Sequence, residues 1–185
     1  MSDILHFLQH RNSAPKLTEP APSDAQLEEM LRCAVRAPDH AWLRPWRFLA
    51  VSGERRHALG EVLEAALVQR KPDADDAARE KARKSPLRAP LVLVAIVRLT
   101  EHPKVPHVEQ RMSTACAAHG ILLAAEALGF AGIWRTGDPA FDRNVMEGLG
   151  MEANEEIAGF LYLGSRDGKA KPLPAINPLA YLENW

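Results

Sequence analysis

The sequence predicts a domain of three layers, in which a small β-sheet is covered by α-helices on both faces. Predicted strands and helices alternate along the chain, and 185 residues are typical of one domain, so residues 1–185 are assigned to a single domain. Hydrophobic residues make up 46% of the chain, which is enough for a core between the layers. Residues 91–97 are apolar at every position and rich in β-branched side chains, which predicts a central strand buried on both faces.

Caps, breaks and apolar spacing predict the elements in order. Ser23 is a favourable N-cap for the second helix, and Gly129 and Gly150 end two later helices. The segment 113–127 is apolar or small nearly all round, which predicts a central buried helix. In chain order we predict a helix at 2–10, a helix at about 24–34, a strand at 47–52, helices at 55–69 and 74–84, a strand at 91–97, a helix at 108–128, a strand at 130–135, a helix at 140–149 and a strand at 157–164.

Charge and composition argue against several classes of protein. The chain has 23 basic and 24 acidic residues, which gives no electrostatic case for binding nucleic acid or an anionic membrane. The apolar run 90–97 is too short to span a bilayer, and polar residues interrupt any signal-peptide pattern near the start of the chain. We therefore expect a cytoplasmic protein in which Cys33 and Cys116 are buried free thiols.

Residues that could suggest a metal or a nucleophile have simpler interpretations. His102 and His107 lie five residues apart near two glutamates, but they flank two prolines and are predicted to be surface histidines, so we predict no metal site. His119 is predicted to be a core histidine, and Cys116 has no cationic neighbour in sequence that would activate it.

The tail, residues 169–185, combines several prolines with large apolar side chains. A tail free in water would not need those side chains, so it is predicted to dock, most simply on a second copy of the chain, with disorder as the alternative.

Residues 36–48 form the most informative segment. It contains two tryptophans, three arginines and a histidine, stiffened by two prolines. Flat aromatic faces with guanidinium groups suit a planar anionic ligand. Together with residues from elsewhere in the chain, this segment gives a set of polar and cationic groups just outside predicted element ends: Arg11, Ser13, Lys16, Arg36, His40, Arg44, Arg135 and Thr136. Without a catalytic acid–base pair, this set predicts a phosphate-bearing redox cofactor that supplies the reactive atom.

These segments, in this order, resemble the compact FMN-dependent nitroreductases. The matching segments are Arg11-Asn12-Ser13, Arg36-Ala37-Pro38-Asp39-His40, Pro45-Trp46-Arg47-Phe48, Arg88-Ala89-Pro90, Lys104-Val105-Pro106, Gly129–Gly137 (GFAGIWRTG) and Gly159–Gly164 (GFLYLG). The resemblance implies an α+β sandwich with a small, mainly antiparallel sheet, acting as a homodimer whose C-terminal tail extends onto the partner. Two FMN sites would lie in the interface, each built from both chains.

The resemblance also implies roles for individual residues. The residues expected to contact FMN are Arg11, Asn12, Ser13, Lys16, Arg36, His40, Trp134, Arg135 and Thr136, with Lys16 near flavin N1 and O2. The nicotinamide-binding stretch would be Ala124, Ala125, Glu126, Ala127, Leu128 and Gly129. No side chain is expected to be catalytic, because the flavin would carry a hydride from NADH or NADPH through N5 to an electron-poor acceptor such as a nitroaromatic or a quinone, in two steps.

Two departures from the family pattern concern substrate range. Asn12 stands where relatives often carry a second arginine, and Arg44 precedes Pro45 where an uncharged residue is common. Two alternative functions also fit the sequence: a flavin-binding sensor or flavin store without enzymatic activity, and an interaction module whose tryptophans and tail bind another protein.

Overall fold

An antiparallel sheet forms the middle layer of the protein, in a computed structural model that describes residues 3–185. Its strands are β1 (Leu17–Thr18), β2 (Trp46–Ser52), β3 (Leu91–Arg98), β4 (Ala131–Arg135) and β5 (Glu155–Arg166). Their order is β1-β5-β3-β2, and β4 pairs with the same strand, β5, as β1 does. All the pairs are antiparallel, which confirms the expected type of sheet.

Helices cover both faces of this sheet. They are α1 (Asp3–Gln9), α2 (Asp24–Ala34), α3 (Arg55–Arg70), α4 (Asp76–Lys84), α5 (His107–Ala127), α6 (Asp138–Phe141) and α7 (Arg143–Gly148). Ser23 caps α2 as predicted, since its side chain accepts a hydrogen bond from the Gln26 backbone N–H. The predicted start of the first helix at residue 2 lies outside the described residues.

Strand β3 divides the core into two halves by simple alternation. Val92, Val94 and Ile96 face a cluster with α3 and α7, whereas Leu91, Leu93 and Ala95 face a cluster with α2 and α5. Residues 91–97 are all buried, as the unbroken apolar run predicts. The three-layer α+β fold is therefore confirmed.

Several predicted boundaries were wrong. A single helix at 140–149 is replaced by α6 and α7, because Asp142 has extended backbone angles and caps α7 through the Asn144 backbone N–H. Strand β5 is longer than predicted at both ends, since Glu155 pairs with β3 and Arg166 pairs with β1. Strand β1 was not predicted, because two residues carry no periodic signal.

The prediction that α5 is buried all round was also wrong. Val108 and Met112 are 50% and 61% exposed, and Cys116 and His119 on the same side of the helix are exposed as well. His119 is therefore not a core histidine. Cys116 and Cys33 are free thiols as expected, but both are exposed rather than buried.

A buried carboxylate fixes the end of the sheet. Glu155 is 2% exposed and accepts two hydrogen bonds from Arg47, at 2.9 and 2.6 Å, while Arg98 Nε lies 3.4 Å from it. The hydrogen bonds from Arg47 hold the pKa of the Glu155 carboxyl below its ordinary value, although burial opposes them. The pair ties β2 to β5 across the intervening strand β3.

The tail leaves the sheet after β5 and keeps its apolar side chains exposed. Ile176, Leu179 and Tyr181 are 60%, 69% and 81% exposed. The tail is held near its start, where Asn12 Nδ2 donates to the Lys171 carbonyl at 2.6 Å. Docking of the tail on a second copy stays a prediction. Within residues 3–185, no helix combines the length and hydropathy needed to cross a bilayer.

Candidate functional site

A cavity of about 690 Å³ opens beneath α4, beside the end of β4. Phe160 and Tyr162 of β5 lie beneath it but are only 4% and 5% exposed, so the apolar surface open to a ligand is on partly exposed side chains such as Leu67 of α3. The cationic side chains that line it are Arg70, Lys81, Arg88 and Arg135. The cavity therefore offers apolar surface for a flat ring together with positive charge for an anion.

Arg135 is the most unusual of these cations. Its register on β4 places it opposite Phe160, and its guanidinium carbon lies 5.7 Å from the centroid of the Tyr162 ring. Its Nε is buried and has no hydrogen-bond partner within the described residues. Buried donors are normally paired, so this atom indicates a missing acceptor. Burial raises the pKa of the Tyr162 phenol, which keeps that neighbour uncharged at neutral pH.

The other cations differ in how far they are already paired. Arg70 forms ion pairs with Asp138, at 3.6 Å, and with Asp142. Across residues 3–185, the side chains of Lys81 and Arg88 make no hydrogen bond or ion pair. The cavity therefore keeps a net positive charge that its own carboxylates do not neutralise.

The predicted N-terminal residues lie against the same strand as Arg135. The Ala14 backbone N–H donates to the Gly132 carbonyl of β4 at 3.0 Å, which anchors the loop. Within that loop, Arg11 donates to the Ser13 hydroxyl at 3.4 Å, and Arg166 donates to the Asn12 carbonyl at 2.8 Å. The structure thus brings the predicted 11–13 and 134–136 segments to one strand.

Lys16 lies further along this loop. Its carbonyl accepts a hydrogen bond from the Asp167 backbone N–H at 3.2 Å, and the residue is exposed. It does not line the cavity, whose cations come from elsewhere in the chain.

The indole side chain of Trp134 packs against β5. Its indole Nε1 donates to the Ala158 carbonyl at 3.2 Å, and its ring lies over Gly159, where a β-carbon would stand 1.9 Å from Nε1. Thr136 follows on the surface and lines the cavity with Gly137.

Arg36 and His40 are not among the residues that line this cavity. Arg36 lines a hollow of about 390 Å³ together with Trp42, Arg44 and Trp46. His40 Nδ1 lies 2.7 Å from the Glu109 carboxylate of α5. Among the residues that the structure describes, no hydrogen bond or ion pair joins Arg36 or His40 to residues 11–16 or 134–136. Arg36 and Arg135 line different cavities of the same chain, so one chain presents the predicted cofactor residues as two groups that share no hydrogen bond.

The predicted nicotinamide-binding stretch covers the last turn of α5 and its end. Ala124 and Ala125 belong to the core, at 8% and 0% exposed, whereas Ala127, Leu128 and Gly129 are exposed. Gly129 has φ of +83°, the left-handed conformation in which glycine commonly ends a helix. The role of this stretch stays a prediction.

Sequence reasoning missed part of the cavity. Lys81 lies in the helix predicted at 74–84, where no site residue was expected, and Tyr162 was noted only within the GFLYLG strand. Arg88 was noted only as part of Arg88-Ala89-Pro90, which was the one signal that pointed towards this wall of the cavity. In the described part of the chain, no cluster of three or more histidine, cysteine, aspartate or glutamate side chains could hold a metal ion.

Known proteins resemble this chain over most of its length. A family model described as the nitroreductase family matches residues 8–165. YdjA of Escherichia coli (strain K12), named as a candidate NAD(P)H nitroreductase, is 43% identical over 168 residues, covering 91% of each chain.

Solved structures share the fold. A nitroreductase-like family protein from Bacillus cereus superimposes with a TM-score of 0.84 at 24% identity, covering 100% of this chain and 97% of that one. The FMN and NADPH-dependent nitroreductase NfnB from Sphigopyxis sp. strain HMH gives a TM-score of 0.78 at 18% identity, covering 100% and 99%.

Proposed function

Since the chain belongs to the nitroreductase family, we propose that it is an FMN-dependent NAD(P)H oxidoreductase acting as a homodimer in the cytoplasm. The observation that carries the proposal is the buried, unpaired Nε of Arg135 at a cavity with apolar and cationic walls. The names of relatives support it, since NfnB is described as FMN and NADPH-dependent.

The residues present fit FMN chemically. Its phosphate is a dianion, which suits the cationic side chains of the cavity, and its ring system is flat and largely apolar, which suits the partly exposed Leu67, Ala82 and Pro139. Arg11 and Ser13 would add donors for the phosphate or the ribityl chain from the loop beside β4. When bound, FMN would accept a hydride from NADH or NADPH and pass two electrons to an acceptor such as a nitroaromatic or a quinone, in a two-step exchange.

The protein's contribution is to bind the cofactor, orient its ring and shield it. Helix α4 covers the cavity, and it can approach α3 closely because position 60 is glycine: a β-carbon there would stand 2.1 Å from the Arg83 carbonyl oxygen. The cations that line the cavity would favour negative charge on a bound cofactor.

A homodimer would join the two groups of predicted cofactor residues. Residues 11–13 and 134–136 of one chain would meet Arg36 and His40 of the partner. The exposed side of α5 around Val108 and Met112 offers an apolar surface for that contact, as does the tail. This arrangement would explain why one chain presents the residues as two separate groups.

The proposal is tested by adding FMN to the purified protein and removing unbound flavin. We expect retained flavin absorption, a dimer by light scattering, and oxidation of NADH or NADPH only when an acceptor such as a quinone is present. Protein that takes up no FMN would contradict the proposal. Protein that retains FMN but oxidises neither nicotinamide would instead support a flavin-binding protein without enzymatic activity.

A further inference from the structure

The second hollow, lined by Arg36, Trp42, Arg44 and Trp46, has the chemistry of a binding site in its own right. It measures about 390 Å³, which is room for a single aromatic ring with substituents. Its two indoles offer flat apolar faces, and its two guanidinium groups offer planar, forked donors.

The positive charge in this hollow is not neutralised within the chain. Within residues 3–185, neither guanidinium group makes a hydrogen bond or an ion pair. The one carboxylate in the lining, Asp39, already accepts a hydrogen bond from the Arg44 backbone N–H at 2.7 Å. Because the proposed function assigns Arg36 to the cofactor, Arg44 is the unpaired cation that the negative group of a ligand would meet.

The backbone here is held in an unfavourable conformation. Ala41, Trp42 and Arg44 have φ of +60°, +55° and +49°, a region that residues other than glycine rarely adopt. Burial of Trp42 offsets little of this strain, because the side chain is 78% exposed. Strain of this kind that does not improve packing is typical of binding and catalytic segments.

We propose that this hollow is the acceptor-binding site and that it selects planar aromatic acceptors that carry a carboxylate or a similar anionic substituent. The inference rests on the proposed function, in which Arg36 and His40 of the same segment lie at the cofactor. The ring would stack on Trp42, and Arg44 would bind the anionic substituent. Arg44 is thus a specificity residue rather than a catalytic one.

The electron balance leaves the anionic substituent unchanged. A nitroarene takes up two electrons and two protons, loses one oxygen as water and becomes a nitrosoarene. NADH or NADPH supplies the two electrons and one proton as a hydride, and solvent supplies the second proton.

Two matched acceptors test the proposal by kinetics. 4-Nitrobenzoate and its methyl ester share a ring and a nitro group but differ in charge. We expect kcat/KM to be higher for the acid than for the ester, and Arg44→Gln to lower it for the acid about tenfold, through KM, as for one charge-assisted hydrogen bond. The ester should be unaffected, as should both acceptors in Arg55→Gln, a control that removes an exposed arginine on α3.

A binding measurement keeps this test separate from the proposed function. 4-Nitrobenzoate should quench the tryptophan fluorescence of the holoprotein saturably, with smaller amplitude in Trp42→Phe and weaker affinity in Arg44→Gln. This result would support the hollow as a binding site even if the protein oxidised no nicotinamide. Equal kcat/KM for acid and ester would overturn the inference. Loss of FMN or of the dimer in Arg44→Gln would also overturn it, since Arg44 would then serve the cofactor or the interface rather than the acceptor.

Discussion

The indole of Trp134 lies so close to Gly159 that a β-carbon on the glycine would stand 1.9 Å from Nε1. The same indole N–H donates to the Ala158 carbonyl, so β4 and β5 are joined by side-chain packing as well as by their ladder. This contact fixes the strand that leads directly into Arg135 and Thr136.

Gly159→Ala should therefore lower the free energy of unfolding by about 1–3 kcal/mol, as overpacking does, because the indole must move. Urea unfolding measures the change. In a double-mutant cycle, Trp134→Leu should relieve part of the effect, since the smaller side chain leaves room for the methyl group. Additive losses in the double variant would show that the indole is not what the new methyl meets.

Gly60→Ala should displace α4 and weaken FMN retention. The new methyl would meet the Arg83 backbone carbonyl at 2.1 Å, and backbone cannot rotate away as a side chain can. Gly120→Ala is a matched control on α5, because its methyl would meet nothing nearer than 3.5 Å and alanine favours a helix by about 1 kcal/mol. Equal FMN dissociation constants for wild type and Gly60→Ala would contradict the role given to α4.

Protonation of Glu155 in acid should lower the free energy of unfolding. Its folded pKa is lowered by Arg47, so the stabilisation is complete above the unfolded pKa of about 4.3 and is lost as the pH falls through the folded value. Glu155→Gln should lower stability at pH 7 by about 3 kcal/mol and flatten the pH dependence below pH 5. Glu156 shifts in the same direction, so part of the slope should remain.

The matched control for Glu155 is Glu183→Gln, in the exposed tail. It should leave the curve of unfolding free energy against pH unchanged. A Glu155→Gln curve that runs parallel to the wild-type curve would exclude Glu155 as the source of the acid sensitivity.

Arg135→Ala and Arg11→Ala should each weaken FMN binding by about tenfold or more, the loss expected for one charge-assisted contact to phosphate. Fluorescence titration of flavin-free protein with FMN measures both, and Arg55→Gln serves as the control. Unchanged affinity in both variants would reject their assignment as cofactor ligands.

Much of the fold could be predicted because its signals are local. The apolar run 91–97 predicts a strand that is buried on both faces of the sheet. Ser23 with Gln26 forms a complete capping box. The exposure of α5 could not be predicted, because alanine-rich, weakly polar surface is equally compatible with burial inside one chain and with contact between two.

The cavity could be predicted only in part, since its walls are assembled by pairing and docking rather than by sequence spacing. Arg135 meets Tyr162 because β4 and β5 pair in one register, and Lys81 reaches the cavity because α4 docks on α3. Arg11, Ser13, Arg135 and Thr136 were predicted from their positions just outside element ends and from the resemblance to known motifs, but no spacing in the sequence shows that their segments share a strand.

Each FMN site of the proposed dimer is expected to take Arg135 from one chain and Arg36 from its partner. Hybrid dimers of Arg36→Ala and Arg135→Ala chains, purified with two different tags, test it by FMN titration. We expect one site of wild-type affinity in each hybrid dimer, because one of the two sites of the hybrid keeps both arginines. Both parent homodimers should bind FMN weakly. Hybrids that bind FMN as weakly as the parents, with no tight site, would contradict it.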